Sequence, residues 1–250
     1  MAKKLTTAFL LIVLGVVLYF VQKDIFYQAP NYEYEDGFAS LDQESWFVGE
    51  WLTGHTNYEN AVIEDGKLIL EVKETDKGPY LLSQPIAVEY GDVITIERRV
   101  KVHYGNEYFT GGFILYETDD EQLRPNANAK WSDSFGNALV AVEYVHNFSE
   151  NSTRPGRDIF RVLGPDWEDK NNYQVAEPIF DTWFDETLIY DTRNNKVTYK
   201  LNGQEYKING HGIRQPYIRV MTHSFGFGVG HVMEIDHVKI LIEKRQTRLD

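Results

Sequence analysis

Beyond Pro30 the chain carries short runs with a two-residue period. Stretches such as VITIERRVKV (93–102) and KVTYKLN (196–202) alternate apolar and polar residues, with Gly, Asn and Asp between one stretch and the next. That period sends successive side chains to opposite faces of an extended strand, so each strand buries one face and wets the other. The same reading gives strands at KLILEVK (67–73), GGFILYE (111–117), ALVAVEYVH (138–146), DIFRVL (158–163), ETLIYDT (186–192), YIRVMTH (217–223) and VMEIDHVKILI (232–242). RNN at 193–195 reads as a turn, and NGQ at 202–204 as a tight hairpin into EYKI. With no amphipathic helix in this region, residues 30–250 are expected to form one all-β domain, a two-sheet antiparallel jelly-roll sandwich.

The first thirty residues are of another kind. Leu5 to Val21 carry no charge, with Lys3 and Lys4 before them and Lys23 and Asp24 after. As a helix this run spans about 25 Å, near the lower limit for a bilayer core. No A-x-A pattern follows, which favours an uncleaved transmembrane anchor over a removed signal peptide. The flanking lysines place the N-terminus in the cytoplasm and residues from about 30 onward outside. Residues 1–29 are thus expected to be a cytoplasmic tip, the membrane anchor (5–21) and a short linker, and the domain is secreted if this segment is cleaved.

A net charge of −13 argues against a nucleic-acid partner, because the chain repels phosphate backbones. The absence of cysteine excludes disulfides, thiol catalysis and Cys-type zinc sites. Aromatic residues make up 14% of the chain, which suits both a pleated core and the stacking of sugar faces. Two polar loops stand out: 118–137, rich in turn formers, and 147–153, with N-x-S/T sequons at Asn147 and Asn151.

Several stretches together resemble the concanavalin A-like lectin/glucanase superfamily. They are FASLDQESW (38–46), EDGKLILEV (64–72), WFDETLIYDTRNNKVTYKLNGQEYKI (183–208) and MEIDHVKI (233–240), and the likeness extends over most of residues 35–243. The resemblance implies a sandwich fold and a carbohydrate partner. Its laminarinase and lichenase branch carries E-x-D-x-E or E-x-D-x-x-E on a central strand, with the acids on the cleft face. In EIDHVKI the third acid would fall on Val238 or Lys239, and the stretch lies on the final strand. On the matching strand, ALVAVEYV, only Glu143 remains: the other acid positions hold Leu139 and Ala141, or Ala138 and Val140. The resemblance also implies a structural Ca²⁺ held by Asp236, with oxygens from Gly66 and the region of Asp36.

Polar residues inside apolar strands mark a candidate ligand face. Tyr116, Glu143, Arg161, Arg219 and His223 are expected to converge on one sheet surface, with Trp131 and Trp167 walling it from loops. The alternative is a solvated sheet face carrying a Glu–Arg pair. Trp46 and Trp183 are assigned to the core, and His211, His223, His231 and His237 match no metal-ligand spacing. The expected function is a membrane-anchored, extracytoplasmic, lectin-like carbohydrate-binding module. The alternatives are a glycoside hydrolase or polysaccharide lyase with Glu143 as acid/base, and a structural envelope domain that binds no sugar.

Overall fold

The computed structural model describes residues 32–50, 61–74, 78–105, 108–121, 137–148, 156–165, 173–226 and 228–244. The Leu5–Val21 run, Trp131, Trp167 and Asn151 lie outside them. Among the described residues, no helix is long and apolar enough to cross a membrane.

Sixteen strands occur among these residues. They are β1 (Tyr32–Asp36), β2 (Trp46–Glu50), β3 (Ala61–Glu64), β4 (Lys67–Val72), β5 (Pro79–Ser83), β6 (Ile86–Ala87), β7 (Asp92–Val102) and β8 (Phe109–Thr118). There follow β9 (Ala138–Phe148), β10 (Arg157–Leu163), β11 (Tyr173–Ala176), β12 (Phe184–Asp191), β13 (Lys196–Leu201), β14 (Gln204–Asn209), β15 (Tyr217–Gly226) and β16 (His231–Lys244). They form two antiparallel sheets. Sheet I has the order β14-β13-β12-β7-β16-β4-β3, and β1 pairs with β16. Sheet II has the order β11-β10-β9-β8-β15-β5-β2, and β6 pairs with β15.

Two hairpins follow directly from dipeptides. Asp65-Gly66 joins β3 to β4 and Asn202-Gly203 joins β13 to β14, and all four residues have positive φ, between 47° and 83°. That is the mirror-image turn whose twist matches paired strands, and Asp, Asn and Gly adopt it most readily.

The two sheets bury their faces differently. In sheet I, β7 and β12 alternate strictly, so Ile94, Ile96 and Leu188 enter the core and the intervening residues face outward. In sheet II, β5, β8 and β15 are buried at nearly every position. One face of sheet II meets sheet I across the main core. The other holds a second apolar cluster of Phe47, Tyr80, Leu82, Ile114, Met221, Leu163 and their neighbours.

A charged network lies inside the main core. Arg98 of β7 and Glu186 of β12 are fully buried, with Nε and Oε1 3.0 Å apart in a charge–charge contact that is not an aligned hydrogen bond. Glu186 Oε2 accepts hydrogen bonds from the hydroxyls of Tyr144 and, at 2.7 Å, Tyr199. Arg98 Nη1 donates to Thr222 Oγ1 at 2.9 Å, and its guanidinium lies 4.6 Å from the centre of the Phe113 ring. Tyr144 and Thr222 belong to sheet II, so the network ties the two sheets together. Burial pushes both phenols well above the usual tyrosine range, and the Glu186 charge pushes the same way.

Trp46 is in the core as expected, its indole N–H reaching Tyr34 Oη and Asp36 Oδ2. Trp183 is not. Its ring lies on the outer side of sheet I beneath two cations, Lys67 at 5.7 Å and Arg99 at 5.8 Å. It precedes β12 by one position, so the alternation that buries Phe184 turns Trp183 outward.

Candidate functional site

Strand register draws a polar row across the second face of sheet II. Arg161 of β10 stands opposite Glu143 of β9, Glu143 opposite Gly112 of β8, and Gly112 opposite His223 of β15. His223 in turn faces Tyr80 of β5, and Tyr80 faces Gly49 of β2. Apolar rows flank it. Leu163, Ala141, Ile114, Met221, Leu82 and Phe47 run along one side. Ile159, Val145, Thr110 and Phe225 run along the other. Four residues along β15 from His223, and so on the same face, Arg219 stands opposite Tyr116. The five expected strand residues therefore share one face.

Two glycines stand in this row, and at both close packing leaves no room for a side chain. Gly112 has φ near 144°, and a Cβ there would lie 2.0 Å from the Val142 carbonyl oxygen, so no other residue fits. Glu143 and His223 stand on either side of it, two strand spacings or about 9.5 Å apart. At the edge the Tyr80 ring packs directly over Gly49, where a Cβ would meet it at 2.1 Å.

The row is more enclosed than the open, ring-lined face expected of it. Glu143 is 7% exposed, and its Oε2 accepts a hydrogen bond from Arg161 Nε at 2.6 Å. Arg161 is the more accessible partner of that pair. Tyr108, half-buried against the same cluster, lies near both; burial raises its phenol, the Glu143 charge adds to the shift and the Arg161 charge opposes it. His223 is fully buried, and loss of solvent, helped by the Arg98 charge, lowers it to about 3. It is neutral at pH 7 and a weak base, so it supplies no charge to neutralise a uronic acid. Burial also lowers Arg219, which donates weakly to the main-chain oxygens of Ser83 and Asp120 at 3.4 Å. Burial raises Tyr80 to about 12, against the pull of Arg219.

Along β9 the second face carries Ala138, Ala141 and Glu143, because a register shift opposite Leu115/Tyr116 turns Leu139 into the main core. In the three cross-strand rows, Glu143 is the one carboxylate among the described residues. Retaining hydrolysis needs two carboxyl groups about 5–5.5 Å apart, and inverting hydrolysis two about 6.5–9.5 Å apart. Tyr108 and Gly112 were not recognisable in the sequence as parts of this site: Tyr108 precedes its strand, and Gly112 acts by lacking a side chain.

Glu234 and Asp236 lie elsewhere, on the outer side of sheet I. Glu234 Oε1 meets His103 Nε2 at 2.5 Å and Lys101 at 3.5 Å, which hold its carboxyl below the usual range against the opposing effect of burial. Asp236 occupies a bulge between Ile235 and His237, where β16 leaves β4 and takes up β1. Gly66 and Asp36 flank that junction, so topology gathers the three expected calcium positions. The Asp36 carboxylate is already occupied: it accepts from Phe38 N at 2.7 Å, Tyr34 Oη at 2.9 Å and Trp46 Nε1 at 3.0 Å. A cation there would compete with these three donors for the carboxylate, which leaves the main-chain oxygen as the freer ligand. Arg99 Nη1 stands 3.8 Å from Asp236 Oδ2 and competes for that carboxylate. Among the described residues, no three His, Asp or Glu side chains are grouped to hold a metal.

No family model matches the chain, and no curated protein matches it by sequence. Solved structures do match in shape. A Lotus tetragonolobus seed lectin superposes with a TM-score of 0.61 at 14% identity, over 86% of this chain and 100% of its own. A laminarinase from Flavobacterium sp. UMI-01 gives 0.57 at 13% identity, covering 83% and 98%. A lichenase derived from a mouse hindgut metagenome gives 0.55 at 13% identity, covering 85% and 99%. The chain has the concanavalin A-like sandwich fold common to these glucanases and lectins.

Proposed function

We propose that this chain is a lectin-like carbohydrate-binding module, held outside the cell by an anchor at residues 5–21 and engaging glycan through the second face of sheet II. The observation that carries this reading is the pairing of Glu143, the single carboxylate of the three rows, with Arg161 at 2.6 Å. A fixed carboxylate–guanidinium pair offers acceptors and donors side by side, the arrangement that vicinal hydroxyls satisfy. Tyr108 supplies an aromatic surface beside it. The fold, shared with proteins described as lectins and as glucanases, supports a glycan partner. The same position of Glu143 supports a second reading, a glycan-active enzyme that uses it as acid/base; among the described residues of the three rows no second carboxylate accompanies it, which favours binding over hydrolysis. Asp236, with main-chain oxygens at Gly66 and Asp36, is the proposed place for a structural Ca²⁺.

The test is a glycan array probed with the full chain, with calcium and with chelator, alongside Glu143→Ala and Arg161→Ala. Binding lost in both variants supports the site, and any bound polysaccharide is then incubated with the chain to look for cleavage. Binding unchanged in both variants overturns the assignment. The absence of binding under every condition leaves the structural-domain reading.

A further inference from the structure

A second polar pocket lies away from the Glu143 row, where the β9–β10 hairpin meets the chain leaving β7. It has a volume of about 350 Å³ and is lined by Tyr104, His146, Asn147, Arg157 and Asp158, together with two glycines. That is the lower end of the roughly 300–1,000 Å³ typical of small-molecule sites, room for one sugar ring.

Its walls are held in place. His146 is buried, and its Nδ1 meets Asp158 Oδ1 at 2.6 Å. The same oxygen accepts from the main-chain N–H of Asn147 at 3.1 Å, and Asn147 sits at φ 54°, a conformation that most side chains avoid. The carboxylate can only accept, so the Nδ1 of His146 carries a proton in this contact. The Tyr104 ring packs edge-on to His146 at 4.3 Å and to Phe180 at 5.4 Å, yet remains 54% exposed.

What these groups leave unused defines the ligand. Asp158 is 32% exposed at its side chain, and its Oδ2 accepts no hydrogen bond from a described residue. Arg157 is exposed and forms no ion pair with a described residue. An anionic ligand would meet the Asp158 charge and a cationic one the Arg157 charge. A neutral polyol satisfies both, donating to Asp158 Oδ2 and accepting from the guanidinium, while an apolar sugar face packs on Tyr104. We propose that this rim pocket is a second carbohydrate site, binding a single neutral pyranose unit through Asp158, Arg157 and Tyr104. This rests on the reading that the chain engages glycan, and it adds a site separate from the Glu143 row.

The test follows the His146 ring Cε1–H resonance of the full chain, assigned by its loss in His146→Gln, during titration with glucose, galactose, mannose, N-acetylglucosamine, glucuronate and inorganic phosphate. At least one neutral sugar is expected to shift it in the millimolar range. Asp158→Asn and the exposed Arg157→Ala should each weaken that response at least tenfold, while Glu143→Ala leaves it unchanged. A shift seen only with glucuronate or phosphate overturns the proposal in favour of an anion site. No shift with any sugar, while array binding through Glu143 persists, overturns this proposal and spares the first. Silence in both assays overturns both.

Discussion

Replacing Arg98 by Leu should destabilise the protein by about 3 kcal/mol, Glu186→Leu by about 5 kcal/mol, and the double replacement by no more than about 2 kcal/mol. The numbers follow from the partners each change leaves behind. At an effective dielectric constant of about 20, unit charges 3.0 Å apart attract by roughly 5–6 kcal/mol, and desolvation costs several kcal/mol per ion. Without Arg98, Glu186 still accepts from Tyr144 and Tyr199, so its charge is partly compensated. Without Glu186, the guanidinium keeps only the Thr222 hydroxyl and the Phe113 ring, and two phenols lose their acceptor. With both ions gone nothing charged is stranded. The ion pair is also imperfect in the native protein, because Arg98 Nη2 has no hydrogen-bond partner among the described residues. Urea unfolding followed by tryptophan fluorescence at pH 7 gives all three values. The reasoning is refuted if the double variant loses as much as the two single variants combined, within about 0.5 kcal/mol, since distant and independent sites behave that way.

Three further outcomes are expected. His223 is depressed to about 3 in the folded state, so the unfolded chain binds the proton that the folded one rejects; stability is full above about pH 6.5 and falls by up to about 1.4 kcal/mol per unit as the pH drops toward 3, a slope that His223→Gln should flatten in thermal melts. Gly112→Ala forces a Cβ into the Val142 carbonyl and should cost more than about 2 kcal/mol by chemical denaturation, whereas an unchanged midpoint would mean that the strand relaxes freely. If Asp236 holds calcium, excess Ca²⁺ should raise the melting temperature of the full chain above its value in chelator and Asp236→Asn should remove the difference; equal melting temperatures in wild type would count against the ion.

The sandwich was readable where one face of a strand is wet. β7, β12, β13 and β16 alternate because sheet I has a solvated outer side, and Asn202-Gly203 announces its hairpin. β2 and β5, with sequences WFVGE and PYLLS, are buried on both faces, and no two-residue period survives to mark them. β3, β6 and β11 are too short for a period to stand out, whereas β1, YEYED, alternates in both sequence and burial. Glu143, Arg161, Arg219 and His223 were visible as polar interruptions, and antiparallel register does bring them to one face. Their enclosure was not visible, because burial of the second face of sheet II depends on how the whole chain packs. The His146–Asp158 pocket escaped the sequence for a similar reason: its residues span Tyr104 to Asp158 and share no local pattern.

One consequence of the topology concerns time. The last strand, β16, is a central strand of sheet I, flanked by β7 on one side and by β4 and then β1 on the other, with Tyr32 opposite Ile242. A ribosome delivers this keystone after every other strand of the sheet. Until residues near 244 emerge, β12–β14 with β7 and β3 with β4 are separate fragments, and the facing edges of β7 and β4 are open to wrong partners. Closing a loop of some two hundred residues then dominates the search, so completion of the sheet should be slow. Sheet I is thus two half-sheets in search of one strand, and the strand that joins them is the last of its members to be made.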